Sequence, residues 1–160
     1  MDKKNSYLLN LLPASKSWEK DLEKKAEKER IPIIDKVSCH FLKQIIRIQK
    51  PNTILEIGTA IGYSALQMND AYPEATIISI EQDQSRYHEA VQHIEKEKKT
   101  AQIQLIYGDA LDELQKPYFQ TMTFDFAFID AAKGKYRQFF ERIDPLLKDK
   151  GVIVYDNVLF

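Results

Sequence analysis

Thr53-Ile54-Leu55-Glu56-Ile57-Gly58-Thr59-Ala60-Ile61-Gly62-Tyr63-Ser64 is the stretch on which the fold turns. Its first half is a short apolar run, and it stops at a glycine. A run that brief, apolar on successive residues and not on alternate ones, reads as a strand buried on both faces. The second half is small and turn-forming, and it opens a helical segment. Strand, glycine turn and helix together make the first unit of an α/β sheet.

Four more runs of the same form follow: TIISIE (76–81), IQLIYGD (103–109), FDFAFID (124–130) and GVIVYDN (151–157). Amphipathic stretches lie between them. Residues 84–99 bring Tyr87, Val91 and Ile94 to one face, and 135–147 do so with Tyr136, Phe139, Phe140, Ile143 and Leu147. Buried strands alternating with helices predict a parallel sheet with right-handed crossovers. In such a sheet ligands bind beyond the carboxyl ends of the strands. There the sequence places Glu56, Glu81, Asp109, Asp130 and Asp156, an acid for every strand.

The glycine turn excludes one class of ligand. A dinucleotide site needs G-x-G-x-x-G so that backbone can approach a pyrophosphate. Here the spacing is Gly58-x-x-x-Gly62 with Glu56 just ahead, so the middle glycine is missing and an acid stands where a pyrophosphate would be repelled. A nicotinamide-dependent dehydrogenase fails on that count. A cationic ligand with an amino-acid group fits better, its carboxylate meeting the helix-start amides near Tyr63 and Ser64. Glu81, 19 residues after Gly62, suits two ribose hydroxyls, and Asp109 suits an adenine amino group. These are the parts of a site for S-adenosylmethionine.

A second constellation is Asp130, Asp156 and Asn157. Three hard oxygen donors at adjacent strand ends suit Mg²⁺, with Mn²⁺ or Ca²⁺ as alternatives. Lys133, three residues beyond Asp130, would overhang the same crevice. A nearby cation lowers an ammonium pKa, so Lys133 is the candidate base for an acceptor hydroxyl. His40, His88 and His93 lack ligand spacing, and Cys39 opens an apolar helical stretch that reads as core.

The rest of the chain sets limits. It has 160 residues, 44% hydrophobic and 29% charged, with a net charge of −1. That composition suits an ordered domain with a real core. One cysteine excludes an internal disulfide and a four-cysteine metal site. No apolar run approaches the roughly 18 residues of a membrane span, and the N-terminus lacks a secretory cleavage site. A cytoplasmic domain without membrane attachment is the expectation. Residues 1–50 form an N-terminal helical segment, and residues 51–160 form the sheet-bearing core. In the first segment Trp18, Leu22 and Ala26 recur at helical spacing after Ser17 as N-cap, and Val37, Phe41, Ile45 and Ile48 do so before Pro51. The same segment holds 12 Lys and Arg against 7 Asp and Glu, while the remainder holds 11 against 17. A basic end could face an anionic partner, although a solvated helical surface explains it as well.

ILEIGTAIGYSA, the Glu81 strand end, YGDA, FIDAAKGKY and VIVYDNVLF together resemble the cation-dependent class I O-methyltransferases, which include the catechol and caffeoyl-CoA enzymes. IPIIDK, EIGTAIGYS and FIDAAK are most similar to the bacterial tRNA 5-hydroxyuridine methyltransferases. The resemblance runs from about residue 30 to 160. It implies a Rossmann-like class I methyltransferase fold and cofactor contacts at Ile34 (through backbone), Glu56, Gly58, Ser64, Glu81, Asp109, Ala110 and Asp130. It implies metal ligation by Asp130, Asp156 and Asn157, with Lys133 and Asp130 as the catalytic pair, and a homodimer. The implied reaction is Mg²⁺-dependent methylation of 5-hydroxyuridine at the tRNA wobble position to 5-methoxyuridine. The alternatives are a small catechol-like acceptor, or an inactive domain that only binds S-adenosylmethionine. The family sheet has seven strands. This sequence stops at Phe160, so it reads as a C-terminally shortened form without the last two, leaving an open sheet edge.

Overall fold

A computed structural model describes the backbone of residues 3–131 and 133–156, and the side chains of those residues apart from 3–5 and 133. Three helices come first: α1 (Lys3–Leu11), α2 (Ser17–Glu29) and α3 (Lys36–Gln49). Then follow β1 (Thr53–Ile57), α4 (Tyr63–Ala71), β2 (Thr76–Glu81), α5 (Gln84–Lys96) and β3 (Ile103–Tyr107). The last part holds α6 (Ala110–Glu113), α7 (Pro117–Gln120), β4 (Phe124–Ile129), α8 (Tyr136–Ile143) and β5 (Leu147–Tyr155).

All described strand pairs are parallel, in the order β3-β2-β1-β4-β5. Alternate side chains leave each strand on opposite faces. Ile54, Ile77, Phe126 and Phe128 enter a core shared with α2, α3, α4 and α5. Leu55, Ile57, Ile78, Ile80, Ala127 and Ile129 enter a second core under α6, α7 and α8. Burying a side chain of the size of Phe119, Phe124, Phe126 or Phe128, all fully enclosed, stabilises by roughly 1.5–3 kcal/mol. Because Leu22, Ala26, Cys39, Leu42 and Ile46 pack in the first core beside Ile54, α2 and α3 are continuous with the sheet.

Local details depart from the sequence reading in three places. The N-cap of α2 is Lys16, one residue before Ser17, because Glu19 Oε2 accepts the Lys16 N–H at 2.6 Å. On α3 the buried line is Cys39, Leu42 and Ile46, while Phe41 and Ile48 are 65% and 83% exposed. That helix is apolar on both sides, and α4 takes only one of them. Finally, α8 stops at Ile143. Pro145 has no N–H to extend the ladder and its ring would strike the carbonyl four residues back, so a 3₁₀ turn carries the chain into β5.

Candidate active site

The order reverses between β1 and β4, since β2 lies on one side of β1 and β4 on the other. A crevice opens at such a switch point. Here it is a cleft of about 240 Å³ lined by Pro32, Ile57, Gly58, Ala60, Ile80, Glu81, Gln82, Arg86, Gly108, Asp109, Ala110, Asp130, Ala131, Lys135 and Phe139. A larger cavity of about 560 Å³ lies among α1–α4. Several of its charges pair with one another, with Lys43 on Asp70 at 2.9 Å and Gln67 at 2.7 Å and Lys36 on Glu23 at 2.8 Å. The chemistry therefore gathers in the smaller space.

The strand ends are pinned one residue past the ladder. The Gly58 N–H donates to the Ile80 carbonyl at 3.0 Å, the Asp130 N–H to Ile57 at 2.9 Å, and the Gly108 N–H to Glu81 at 2.9 Å. Gly58 has φ +94°, and a Cβ there would collide with the Asp130 carbonyl oxygen. Only glycine lets β1 and β4 lie this close. At Gly108 the obstacle is the Glu113 side chain, itself held by Lys116 at 2.6 Å and Tyr118 at 2.8 Å.

Glu81 is buried at the cleft wall, where Oε2 accepts the Ala60 N–H and Oε1 the Asp83 N–H, each at 2.8 Å. Each carboxylate oxygen keeps a further lone pair for a ligand hydroxyl. Asp109 caps α6 by accepting the Leu111 N–H at 2.8 Å and meets Lys135 Nζ at 3.3 Å. Burial pushes the Asp109 carboxyl upward, but the Leu111 N–H and Lys135 outweigh it and the net shift is downward. Asp109 is thus an anionic acceptor at the cleft mouth, with Ala110 next to it in the lining.

Glu56 is fully buried behind the glycine turn and is not part of the cleft lining. It receives the Ser79 hydroxyl, which also contacts Thr59. Its Oε1 has no hydrogen-bond partner among the described residues. Its carboxyl is raised to about 7, chiefly by burial, with the Ser64 and Ser79 hydroxyls acting the other way and the charges of Asp130 and Glu81 adding to the rise. Ser64 is likewise buried, on the Glu56 side of the turn. Ile34 turns its side chain into the first core, and in its segment it is Pro32 that reaches the cleft.

At the other end, the pairing of Ile129 with Tyr155 sets Asp130 and Asp156 side by side. Burial and then the charge of Asp156 together raise the Asp130 carboxyl to about 6. Two hard carboxylates that repel each other fit a divalent cation, which would relieve both. Asn157, the third expected donor, lies outside the described residues; among the described residues no group of three or more acidic, histidine or cysteine side chains forms a metal cluster. Lys133 heads the 3₁₀ turn after Asp130, and its side chain is also outside the described set. The cleft fits S-adenosylmethionine on similar grounds. Its acids suit a sulfonium and a ribose, and Gly58 itself lies in the lining, where β1 meets the end of β4.

The histidines are engaged structurally. His93 Nδ1 pairs with the Ile61 carbonyl at 2.8 Å, His88 Nδ1 with Gln84 at 2.7 Å, and His40 with Gln44 at 3.0 Å. Cys39 is buried, and burial pushes its thiol up to about 12, so it is no nucleophile.

A model of the O-methyltransferase family matches residues 15–160. The chain belongs to that family. A caffeoyl-CoA O-methyltransferase of Populus kitakamiensis is 32% identical over 123 residues, which cover 75% of this chain and 52% of that protein. A solved Staphylococcus aureus structure is 35% identical with a TM-score of 0.90, covering 99% of this chain and 75% of that one. An O-methyltransferase from Bacillus cereus, solved in complex with SAH, is 27% identical with a TM-score of 0.87, covering 96% and 71%. This O-methyltransferase family member spans between about half and two thirds of the length of the curated relatives it matches. Its five parallel strands and flanking helices are the Rossmann-like arrangement of those structures. Among the described residues, no helix is long and apolar enough to cross a membrane.

Proposed function

We propose that this chain transfers the methyl group of S-adenosylmethionine to an acceptor hydroxyl with the help of a divalent cation, Mg²⁺ first. The observation that carries the reading is the layout of one cleft. Glu81 and Asp109 stand where an adenosine would lie, and Asp130 stands at the opposite wall, one strand beyond Gly58, with Asp156 next to it at the end of β5.

In this reading Glu81 accepts the ribose hydroxyls, Asp109 the adenine amino group, and Ala110 and Phe139 supply apolar wall. The Gly58 turn seats the amino-acid end, Glu56 and Ser64 act on its ammonium and carboxylate from behind that turn, and the Ile34 backbone closes over it. Asp130, Asp156 and Asn157 hold the cation, which when bound stabilises the acceptor oxyanion and aligns it for in-line displacement. Lys133 takes the hydroxyl proton.

Such a site favours acceptors with two adjacent oxygens. The 5-hydroxyl and 4-carbonyl oxygens of 5-hydroxyuridine qualify, and we assign the tRNA wobble base as the acceptor, giving 5-methoxyuridine. The basic first fifty residues, with Lys20, Lys24 and Lys28 exposed along α2, support an RNA partner. With tRNA as acceptor the reaction runs in the cytoplasm. The caffeoyl-CoA enzymes among the relatives favour a second reading, a small catechol-like phenol. A homodimer is supported by the apolar exposure of Phe41 and Ile48 on α3 beside Leu8 and Leu11 of α1.

Methyl-labelled S-adenosylmethionine separates these readings, with 5-hydroxyuridine-bearing tRNA or catechol as acceptor, each with Mg²⁺ or EDTA. Label should enter the tRNA only with metal. Asp130→Ala should cut the rate by about 100-fold or more, since a Lewis-acid ion supplies several kcal/mol. Label in catechol alone would move the function to small phenols. Binding of the cofactor without transfer to either would leave a binding domain.

A further inference from the structure

We propose that Tyr136 is a positioning residue for the cation corner, fixing the backbone of Asp156 so that its carboxylate meets Asp130 at the angle a divalent ion needs. This rests on the reading of Asp130 and Asp156 as metal ligands, and it concerns a residue that touches neither the metal nor the substrate.

Tyr136 is the first residue of α8, directly after the Lys133–Lys135 turn. Its hydroxyl donates to the Asp156 carbonyl at 2.6 Å across 20 residues of sequence. The Asp156 N–H in turn donates to the Ile129 carbonyl at 3.0 Å. One residue is thereby gripped from both sides: β4 holds its N–H and α8 holds its C=O. The Tyr136 ring also packs on Tyr155, centroids 5.3 Å apart at 53°, so the phenol cannot swing away without giving up that contact. Asp156 directly follows β5, the last strand of the described sheet, and these two hydrogen bonds fix its backbone. Partners that orient ligating groups commonly carry 10–100-fold in metal affinity. The same contact ties the turn bearing Lys133 to the ligand, so the candidate base and the metal corner are kept in one frame.

Tyr155 provides the control. Its ring shares the contact, but its hydroxyl has no partner among the described residues. Mn²⁺ binding to the full chain, followed by the electron paramagnetic resonance of free Mn²⁺, should be compared for wild type, Tyr136→Phe, Tyr155→Phe and Asp130→Asn. SAH binding in EDTA and thermal melting should be recorded on the same samples. Tyr136→Phe should weaken Mn²⁺ binding about tenfold or more and leave SAH binding and the melting temperature near wild type. Tyr155→Phe should bind Mn²⁺ as wild type does. Unchanged Mn²⁺ binding in Tyr136→Phe would overturn the proposal. So would a parallel loss of SAH binding and melting temperature, which would make the residue a general packing element. Failure of wild type to bind Mn²⁺, or undiminished binding by Asp130→Asn, would instead overturn the metal assignment beneath it.

Discussion

Gly58→Ala should lower the stability of the chain by about 4 kcal/mol, because left-handed strain and overpacking each cost roughly 1–3 kcal/mol. The residue sits at φ +94°, and its added Cβ would run into the Asp130 carbonyl, whose carbon lies 2.8 Å away. Relief by backbone movement is blocked on three sides. Gly58 is bonded to β2 through Ile80, Asp130 is bonded to β1 through Ile57, and Asp156 is bonded to β4 through Ile129. Moving any of these would open the sheet at the switch point, where the cleft is formed. Urea unfolding is the direct check. With a slope of about 2 kcal/mol per molar for a domain of this size, the midpoint should fall by about 2 M. SAH binding should be lost in the fraction that stays folded. A midpoint within a few tenths molar of wild type would contradict the close approach of β1 and β4.

The second large effect is a stability that depends on pH through one buried carboxyl. Glu56 has its folded pKa raised from 4.5 to about 7, chiefly by burial. Below pH 4.5 it is protonated both folded and unfolded, and no penalty arises. Between about 4.5 and 7 the unfolded chain releases the proton while the folded chain keeps it, so stability falls as pH rises. Each unit is worth about 1.4 kcal/mol, so the loss reaches about 3 kcal/mol by pH 8. Glu56→Gln removes the titration. The ligand-free variant should therefore gain on wild type steadily between pH 4.5 and 7 and hold that gain above it. The gain corresponds to about 6–12 °C in melting temperature at pH 8. At pH 8 the same variant should bind S-adenosylmethionine at least tenfold more weakly, since the ammonium loses the charge of a carboxylate behind the turn. A melting difference that does not change with pH would show that Glu56 does not carry this shift.

Much of this architecture is written in short-range pattern. The five strands could be read from apolar runs ended by glycine or acid. The convergence of Glu81, Asp109 and Asp130 follows from strand ends lying on one edge of a parallel sheet, so position along a strand was enough to gather them. Other features are not local. Pro32, Arg86 and Phe139 enter the cleft from segments far apart in sequence, and nothing in their neighbourhoods marks them. On α3, periodicity shows that Phe41, Ile45 and Ile48 can align, as can Cys39, Leu42 and Ile46; which line faces the core depends on where α4 packs. Glu56 was legible as an acid beside the turn. Its position behind the turn, paired with Ser79 of the neighbouring strand, came only from the register of β1 on β2.

The central claim is that the cleft between β1 and β4 binds the adenosine of the methyl donor through Glu81. Calorimetric titration of SAH into wild type and Glu81→Ala tests it without any need to know the acceptor. Wild type should bind one equivalent, and Glu81→Ala should bind at least tenfold more weakly, as expected when ligand hydroxyls lose a charged partner worth about 1.5–3 kcal/mol. Equal binding by the two proteins, or no binding by wild type, would contradict the account.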